Sequence, residues 1–178
     1  MLSYTSDKPF VTTGSDNVMS ESFKLPFNLT WRTVLILTIA SFFLNFFWEM
    51  WQMPFFTFNG EDDYWRMNWV CTKASIGDAV ISLISFLVTA WVSKDVSWYR
   101  PPNMNFITIY LLVGIGITVV LEWINTAVLF NWEYKDTMPV VPVLGTGLTP
   151  ILQWIIIPLL ILFILNRLTI HEFDKDEI

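Results

Sequence analysis

Glu49, Asp78 and Glu122 lie inside or at the lip of three separate apolar stretches, in a chain of which 54% of the residues are hydrophobic. A charged side chain at the middle of a bilayer costs roughly 2.5–3.5 kcal/mol on insertion scales, so such residues face a partner, an ion or a substrate rather than lipid. Carboxyl groups in that setting support two kinds of chemistry. They exchange protons with a bound molecule, because two carboxyls close together in an apolar site share a proton rather than both ionising. They also supply oxygen ligands to Mg²⁺, Mn²⁺ or Ca²⁺. The remaining composition closes other routes. Cys71 is the single cysteine, which excludes a disulfide framework and a thiolate metal cluster. His171, the single histidine, lies beyond the last apolar stretch, which removes bis-histidine haem, histidine-rich diiron and zinc-hydrolase chemistry and any intramembrane Ser–His–Asp triad. The expectation is a site without a cofactor, with carboxylate metal binding left as an alternative.

Membrane helices must position these acids. The 178 residues are 15% charged and 17% aromatic, with a mean hydropathy of +0.51, whereas soluble domains average about 25% charged. Segments at about 33–54, 75–93, 105–130 and 149–166 are each long enough to cross a hydrocarbon core of roughly 30 Å at 1.5 Å per residue. The fold class this predicts is all-α, a polytopic four-transmembrane-helix bundle forming one domain over residues 31–168. A polar tail precedes it at residues 1–30, and an acidic tail follows at 169–178. Between helices one and two, the segment Tyr64–Val70 is expected to lie along the membrane surface.

The basic residues set the orientation. With both termini cytoplasmic, the inside carries Lys8, Lys24, Arg32, Lys94, Arg100, Arg167 and Lys175, against Arg66, Lys73 and Lys135 outside. The positive-inside rule favours that arrangement, in a bacterial inner membrane. Glu49 then falls roughly 7–8 Å below the outer boundary and Glu122 roughly 12 Å deep, by helical rise. Asp78 and Gln153 fall in the first turns of helices two and four, again on the outer side. Much of the net charge of −6 sits in the outer connections, at Glu61, Asp62, Asp63, Glu133 and Asp136. No basic surface is left for nucleic acid.

The helical faces converge on the same level. Thr38, Ser41, Asn45, Glu49 and Gln52 form one stripe of helix one; Ser75, Asp78, Ser82, Ser85 and Thr89 form one of helix two; Gly114, Thr118, Glu122 and Asn125 form one of helix three. Hydroxyl stripes are ordinary glue between membrane helices. The acids and amides exceed what that role requires. Thr149 and Pro150 read as N-cap and first residue of helix four, and Pro158 as a kink within it. The punctuated stretch Met138–Pro150, with Gly145 and Gly147, reads as a lid or wall over the outer mouth.

Trp31, Trp65, Trp69, Trp91, Trp98 and Trp132 fall near predicted boundaries, where indoles anchor helices at headgroup level. Trp48, Trp51, Trp123 and Trp154 neighbour the polar residues, and helical geometry lets two of the four face one site. The candidate catalytic residues are therefore Glu49, Glu122 and Asp78, with Asn45, Trp48, Gln52, Trp123, Asn125, Gln153 and Trp154 around a bound molecule.

Three resemblances bear on function. Asn45-Phe46-Phe47-Trp48-Glu49 resembles the Asn-x-x-Trp-Glu pattern of the seven-helix membrane terpene cyclases of fungal meroterpenoid pathways. In those cyclases such a Glu is held to protonate an isoprenoid epoxide. Glu49-Met50-Trp51-Gln52-Met53-Pro54-Phe55-Phe56 is similar to a run in the four-helix emopamil-binding-like proteins, which include sterol isomerases. The histidine those isomerases use has no counterpart here. Trp48-Glu49, Gln52-Met53-Pro54, Gly77-Asp78, Glu122-Trp123, Met138-Pro139, Gly145-Thr146-Gly147-Leu148 and Gln153-Trp154 together resemble a group of small bacterial membrane proteins of unassigned function.

Two readings stay open. In one, a buried acid, Glu49 or Glu122, protonates an isoprenoid or sterol-like lipid and the other accepts the proton removed, with Trp48 and Trp123 sheltering the cation. In the other, the chain is a non-catalytic membrane subunit or small-molecule binder, as a homodimer or within a larger complex, whose acids bond Asn45, Gln52, Asn125 and Gln153 or hold a metal.

Overall fold

The computed structural model describes residues 31–58 and 64–176, with side chains through residue 168. The expectations for the tail at 1–30, for Glu61, Asp62 and Asp63, and for the side chains of 169–178 lie outside the described residues. Four packed helices, α1 (Trp31–Gln52), α2 (Tyr64–Ser93), α3 (Met104–Trp123) and α4 (Leu148–Asp176), make up the all-α fold. Each is long and apolar enough to cross a membrane. Consecutive helices run in opposite directions, so the C-terminal ends of α1 and α3 meet the N-terminal ends of α2 and α4 at one end of the bundle.

α1 stops at Gln52, where Pro54 turns the chain through a 3-10 turn, Met53–Phe55. Proline has no N–H for the helical ladder. α2 begins earlier than its apolar core suggests. Its 30 residues span about 45 Å at the helical rise, more than the hydrocarbon thickness. The stretch Tyr64–Val70 is thus not a separate surface segment but the first two turns of α2. No proline or glycine interrupts it before Gly77, and Asn68 and Thr72 bond back to the carbonyls of Tyr64 and Asn68 at 3.0 and 2.7 Å, as helical side chains do.

Pro101 and Pro102 separate α2 from α3, and Asn103 caps α3 by accepting the Asn105 N–H at 2.9 Å. At its other end α3 runs into a π-helical turn, Ile124–Val128, closed by Leu129 N–H to Ile124 O at 2.8 Å. Such turns insert an extra residue and redirect side chains, often beside functional sites. Phe130 takes the left-handed conformation that turns the chain out of it, at φ 52°. Two short strands follow from this geometry, β1 (Phe56–Phe58) and β2 (Trp132–Tyr134), paired antiparallel with Phe56 opposite Tyr134 and Phe58 opposite Trp132. The alternation Phe-Thr-Phe against Trp-Glu-Tyr puts four aromatics on one face and Thr57 and Glu133 on the other.

α4 starts at Leu148, so Thr149 is inside the helix rather than its cap, and its hydroxyl meets Met138 Sδ at 3.6 Å. The helix passes Pro158 and continues to Asp176, which makes the backbone of residues 169–176 part of α4. Buried residues recur along the predicted stripes, at Ser41 and Asn45 in α1, Ser75, Ser82, Ser85 and Thr89 in α2, and Gly114 and Thr118 in α3. The largest apolar core, built on Leu37, Phe86, Trp98, Tyr110, Ile161 and Leu165, fills the opposite half of the bundle. Trp98, expected in the boundary belt, is instead in this core at 2% exposure. The other boundary tryptophans Trp31, Trp65, Trp69 and Trp91 are exposed.

Candidate functional site

One amide gathers the polar groups. Gln153, in the second turn of α4, extends Nε2 to Asn45 Oδ1 at 2.8 Å, Asp78 Oδ2 at 3.0 Å and Glu49 Oε1 at 3.3 Å. An amide nitrogen carries two hydrogens. One of them is shared with Glu49 at the longer distance, and Glu49 receives its stronger bond from Gln52 Nε2 at 2.9 Å. Gln52 also reaches Gln153 Oε1 at 3.4 Å, and its own Oε1 accepts the Trp48 indole N–H at 3.1 Å. Asn45 closes the set by donating to the Ser41 carbonyl and hydroxyl at 2.8 and 3.0 Å. Glu49 and Asp78, one on α1 and one on α2, are thereby neighbours bridged by a single nitrogen from α4. The stripe spacing makes this possible, since Ser41, Asn45, Glu49 and Gln52 share one face of α1.

Glu49, Gln52, Asp78 and Gln153 form one wall of a cavity of about 500 Å³. Glu122 lines it as well, but its hydrogen bonds run to β2, from the Tyr134 hydroxyl and, at 3.5 Å, from Trp132 Nε1. Burial, and then the Glu122 carboxylate beside it, push the Tyr134 phenol above its ordinary pKa, so it remains a donor at neutral pH. Thr118 also lines the cavity, with its buried hydroxyl lacking a hydrogen-bond partner.

The expected site residues divide. Glu49, Asp78, Glu122, Gln52, Asn125 and Gln153 reach the cavity. Asn45 stands behind Gln153 and Trp48 behind Gln52, each acting through the residue it bonds. Trp154 is buried against Gly114, where a Cβ would run into its ring, and its indole N–H lies toward the Asp78 carboxyl, short of good hydrogen-bond geometry. Trp123 is 59% exposed on the outer surface of α3 and takes no part. Asn125 does not bond the acids. It donates to Leu121 O at 2.8 Å and accepts from Asn131 at 2.7 Å, because the π-helical turn carries it toward β2.

The cover also differs from expectation. Of Met138–Pro150, only Pro150 reaches the cavity, while Val143 stands 93% exposed. That stretch folds on itself through the Val140–Gly147 bridge and the left-handed Gly145. Gly147 lies so close to Met138 and Tyr134 that a side chain there would crowd both. The wall over the acids comes from Phe56, Phe58 and Trp132 of the strand pair. Arg66, Trp69 and Lys73, from the early turns of α2, line the cavity too, with Lys73 Nζ 5.7 Å above the Trp69 ring. Their helical spacing with Val70 and Gly77 was visible in the sequence, but only if residues 64–70 are read as helix. Among the described residues no group of three or more His, Cys, Asp and Glu is placed to hold a metal ion.

Four helices suited to crossing a membrane, with acids and amides gathered at one end of the bundle, are the architecture of a multi-pass integral membrane protein. Comparison with protein-family models, curated proteins and solved structures finds no match for the chain.

Proposed function

We propose that this chain, with both termini cytoplasmic in a bacterial inner membrane, binds a hydrophobic lipid of isoprenoid or sterol-like character and transfers protons to and from it. The observation that carries this reading is the pair Glu49 and Asp78, bridged by Gln153 on the wall of a roughly 500 Å³ cavity with apolar and aromatic sides. Ligand cavities typically enclose about 300–1,000 Å³ and place a few convergent polar groups in apolar walls. Met53, Phe56, Val70, Ile81 and Leu121 supply the apolar contact. One carboxyl of the pair donates a proton to an alkene carbon, or to an epoxide oxygen whose C–O bond then opens to a hydroxyl, and the other takes a proton from a carbon next to the resulting cation to form an alkene, giving isomerisation or cyclisation with no net change in protons. Gln153 and Gln52 hold the two carboxyls in register for these roles.

Mass spectrometry of lipids extracted with the purified protein tests the reading, on wild type beside Glu49→Gln and Asp78→Asn. A folded variant that retains the unconverted lipid while wild type carries its isomer supports it. If wild type holds no isoprenoid-class lipid, the enzymatic reading is lost.

A second reading is favoured by a specific observation: Gln153 ties α4 to both α1 and α2. The cluster then serves as a three-helix clamp in a non-catalytic membrane protein. In that case the same substitutions lower stability and leave the lipid profile unchanged.

A further inference from the structure

A second cavity, of about 460 Å³, lies at the other end of the bundle, where the connection between α2 and α3 folds over the apolar core. Asp95, Trp98, Arg100, Met104 and Phe106 line it, with Pro101, Pro102 and Asn103. It sits at the boundary of two spans, the level at which lipid headgroups lie.

Two buried donors in its walls have no acceptor. The Trp98 ring is wedged among Phe86, Tyr110 and Tyr99, with centroids 5.4, 5.5 and 6.2 Å away, and its Nε1–H is unpartnered. The Arg100 guanidinium lies 5.4 Å over the Tyr99 ring and reaches Asn166 O of α4 with Nη2 at 3.4 Å. Its Nε–H is buried and also unpartnered. Buried donors are nearly always answered, and a guanidinium is the group that best matches the paired oxygens of a phosphate. Asp95 faces the same cavity, with one carboxylate oxygen held by the Ser97 N–H at 2.8 Å. A carboxylate there opposes a ligand with net negative charge and favours one that carries its own cation. Met104, 72% exposed at the start of α3, leads from the cavity onto the apolar flank of the span, where acyl chains lie.

We infer that this cavity holds the headgroup of a membrane phospholipid whose phosphate meets Arg100 and Trp98 and whose primary ammonium faces Asp95, the chemistry of phosphatidylethanolamine. The inference is independent of the acidic cavity and of any reaction there. A ligand that binds only the folded state raises the unfolding midpoint, so lipid binding is read directly as thermal stabilisation of the full chain in detergent.

The experiment adds phosphatidylethanolamine, phosphatidylglycerol or inorganic phosphate to the delipidated protein. Phosphatidylethanolamine is expected to raise the midpoint by several degrees, phosphatidylglycerol by less and inorganic phosphate not at all. Trp98→Phe keeps the ring packing and removes only the N–H, so it answers for the site even if Arg100→Gln proves hard to fold. Both variants are expected to lose the lipid-dependent shift, with about tenfold less bound phosphatidylethanolamine by native mass spectrometry, the factor that one charge-assisted hydrogen bond represents. Asp95→Asn should narrow the gap between the two lipids. The inference is overturned if inorganic phosphate reproduces the shift, if phosphatidylglycerol equals or exceeds phosphatidylethanolamine, or if Trp98→Phe keeps the full shift.

Discussion

Replacing Gln153 by leucine tests the hub most directly, because leucine is close in volume and removes the amide. The cavity cost of such a swap is small. What changes is the hydrogen bonding. Asn45 Oδ1 and Asp78 Oδ2 lose their donor at 2.8 and 3.0 Å, while Glu49 keeps the Gln52 amide at 2.9 Å. An acceptor stranded in a buried site costs about 1–3 kcal/mol. Interhelical hydrogen bonds measured in membranes are weaker, about 0.6 kcal/mol on average and up to about 1.7, because the unfolded helices find other partners in the bilayer. Two stranded acceptors, one of them a carboxylate, therefore predict a loss of about 2–3 kcal/mol. Reversible unfolding in mixed micelles with rising denaturing detergent measures it. Double-mutant cycles pairing Gln153→Leu with Asn45→Ala and with Asp78→Asn should each show coupling of about 0.5–2 kcal/mol, since the partners are in contact. A loss below about 0.5 kcal/mol, with additive cycles at both partners, would refute the hub.

Two further outcomes follow from the packing around the site. Gly114→Ala places a Cβ against the Trp154 ring, and overpacking of this kind costs about 1–3 kcal/mol; a lowered midpoint with a changed near-ultraviolet circular dichroism signal from the buried indole is expected, and an unchanged midpoint would show that α3 and α4 do not approach so closely. Tyr134→Phe removes the hydroxyl that donates to Glu122 and leaves only the longer Trp132 contact, a loss of about 1–2 kcal/mol. The same variant has a pH signature. The folded Tyr134 pKa lies above that of the unfolded chain, so its contribution is complete below about pH 10, where an unfolded phenol begins to ionise, and is lost as pH rises through the folded value. Wild type should therefore lose stability in strongly alkaline solution more steeply than Tyr134→Phe, and parallel pH profiles for the two would contradict the buried phenol.

The four helices were legible in residue order alone, because about twenty apolar residues in a row have few alternatives once backbone groups must be satisfied without water. Period also determined the inward faces: Ser41, Asn45 and Gln52 are buried and Ile39, Phe43 and Phe47 exposed, as a 3.6-residue repeat requires. Placing Glu49, Asp78 and Gln153 at one level followed from helix direction and rise alone. Packing settled the rest, wherever the outcome depended on what a residue meets across the bundle. Trp98 and Trp91 are both boundary tryptophans by position, yet only Trp98 meets Phe86 and Tyr110 and goes into the core. Strands of three residues are too short to show a period, and β1 and β2 exist only because the π-helical turn brings Trp132 back to Phe58. That pairing placed the wall over the acids in the strand pair rather than in the Pro- and Gly-rich loop. It also drew Glu122 toward Tyr134 and Trp132, so that three acids equivalent by depth became a bridged pair and a separate carboxylate on one cavity. Depth along a helix is a local quantity that rise per residue supplies, whereas partnership depends on rotation and approach between helices, which no single segment encodes.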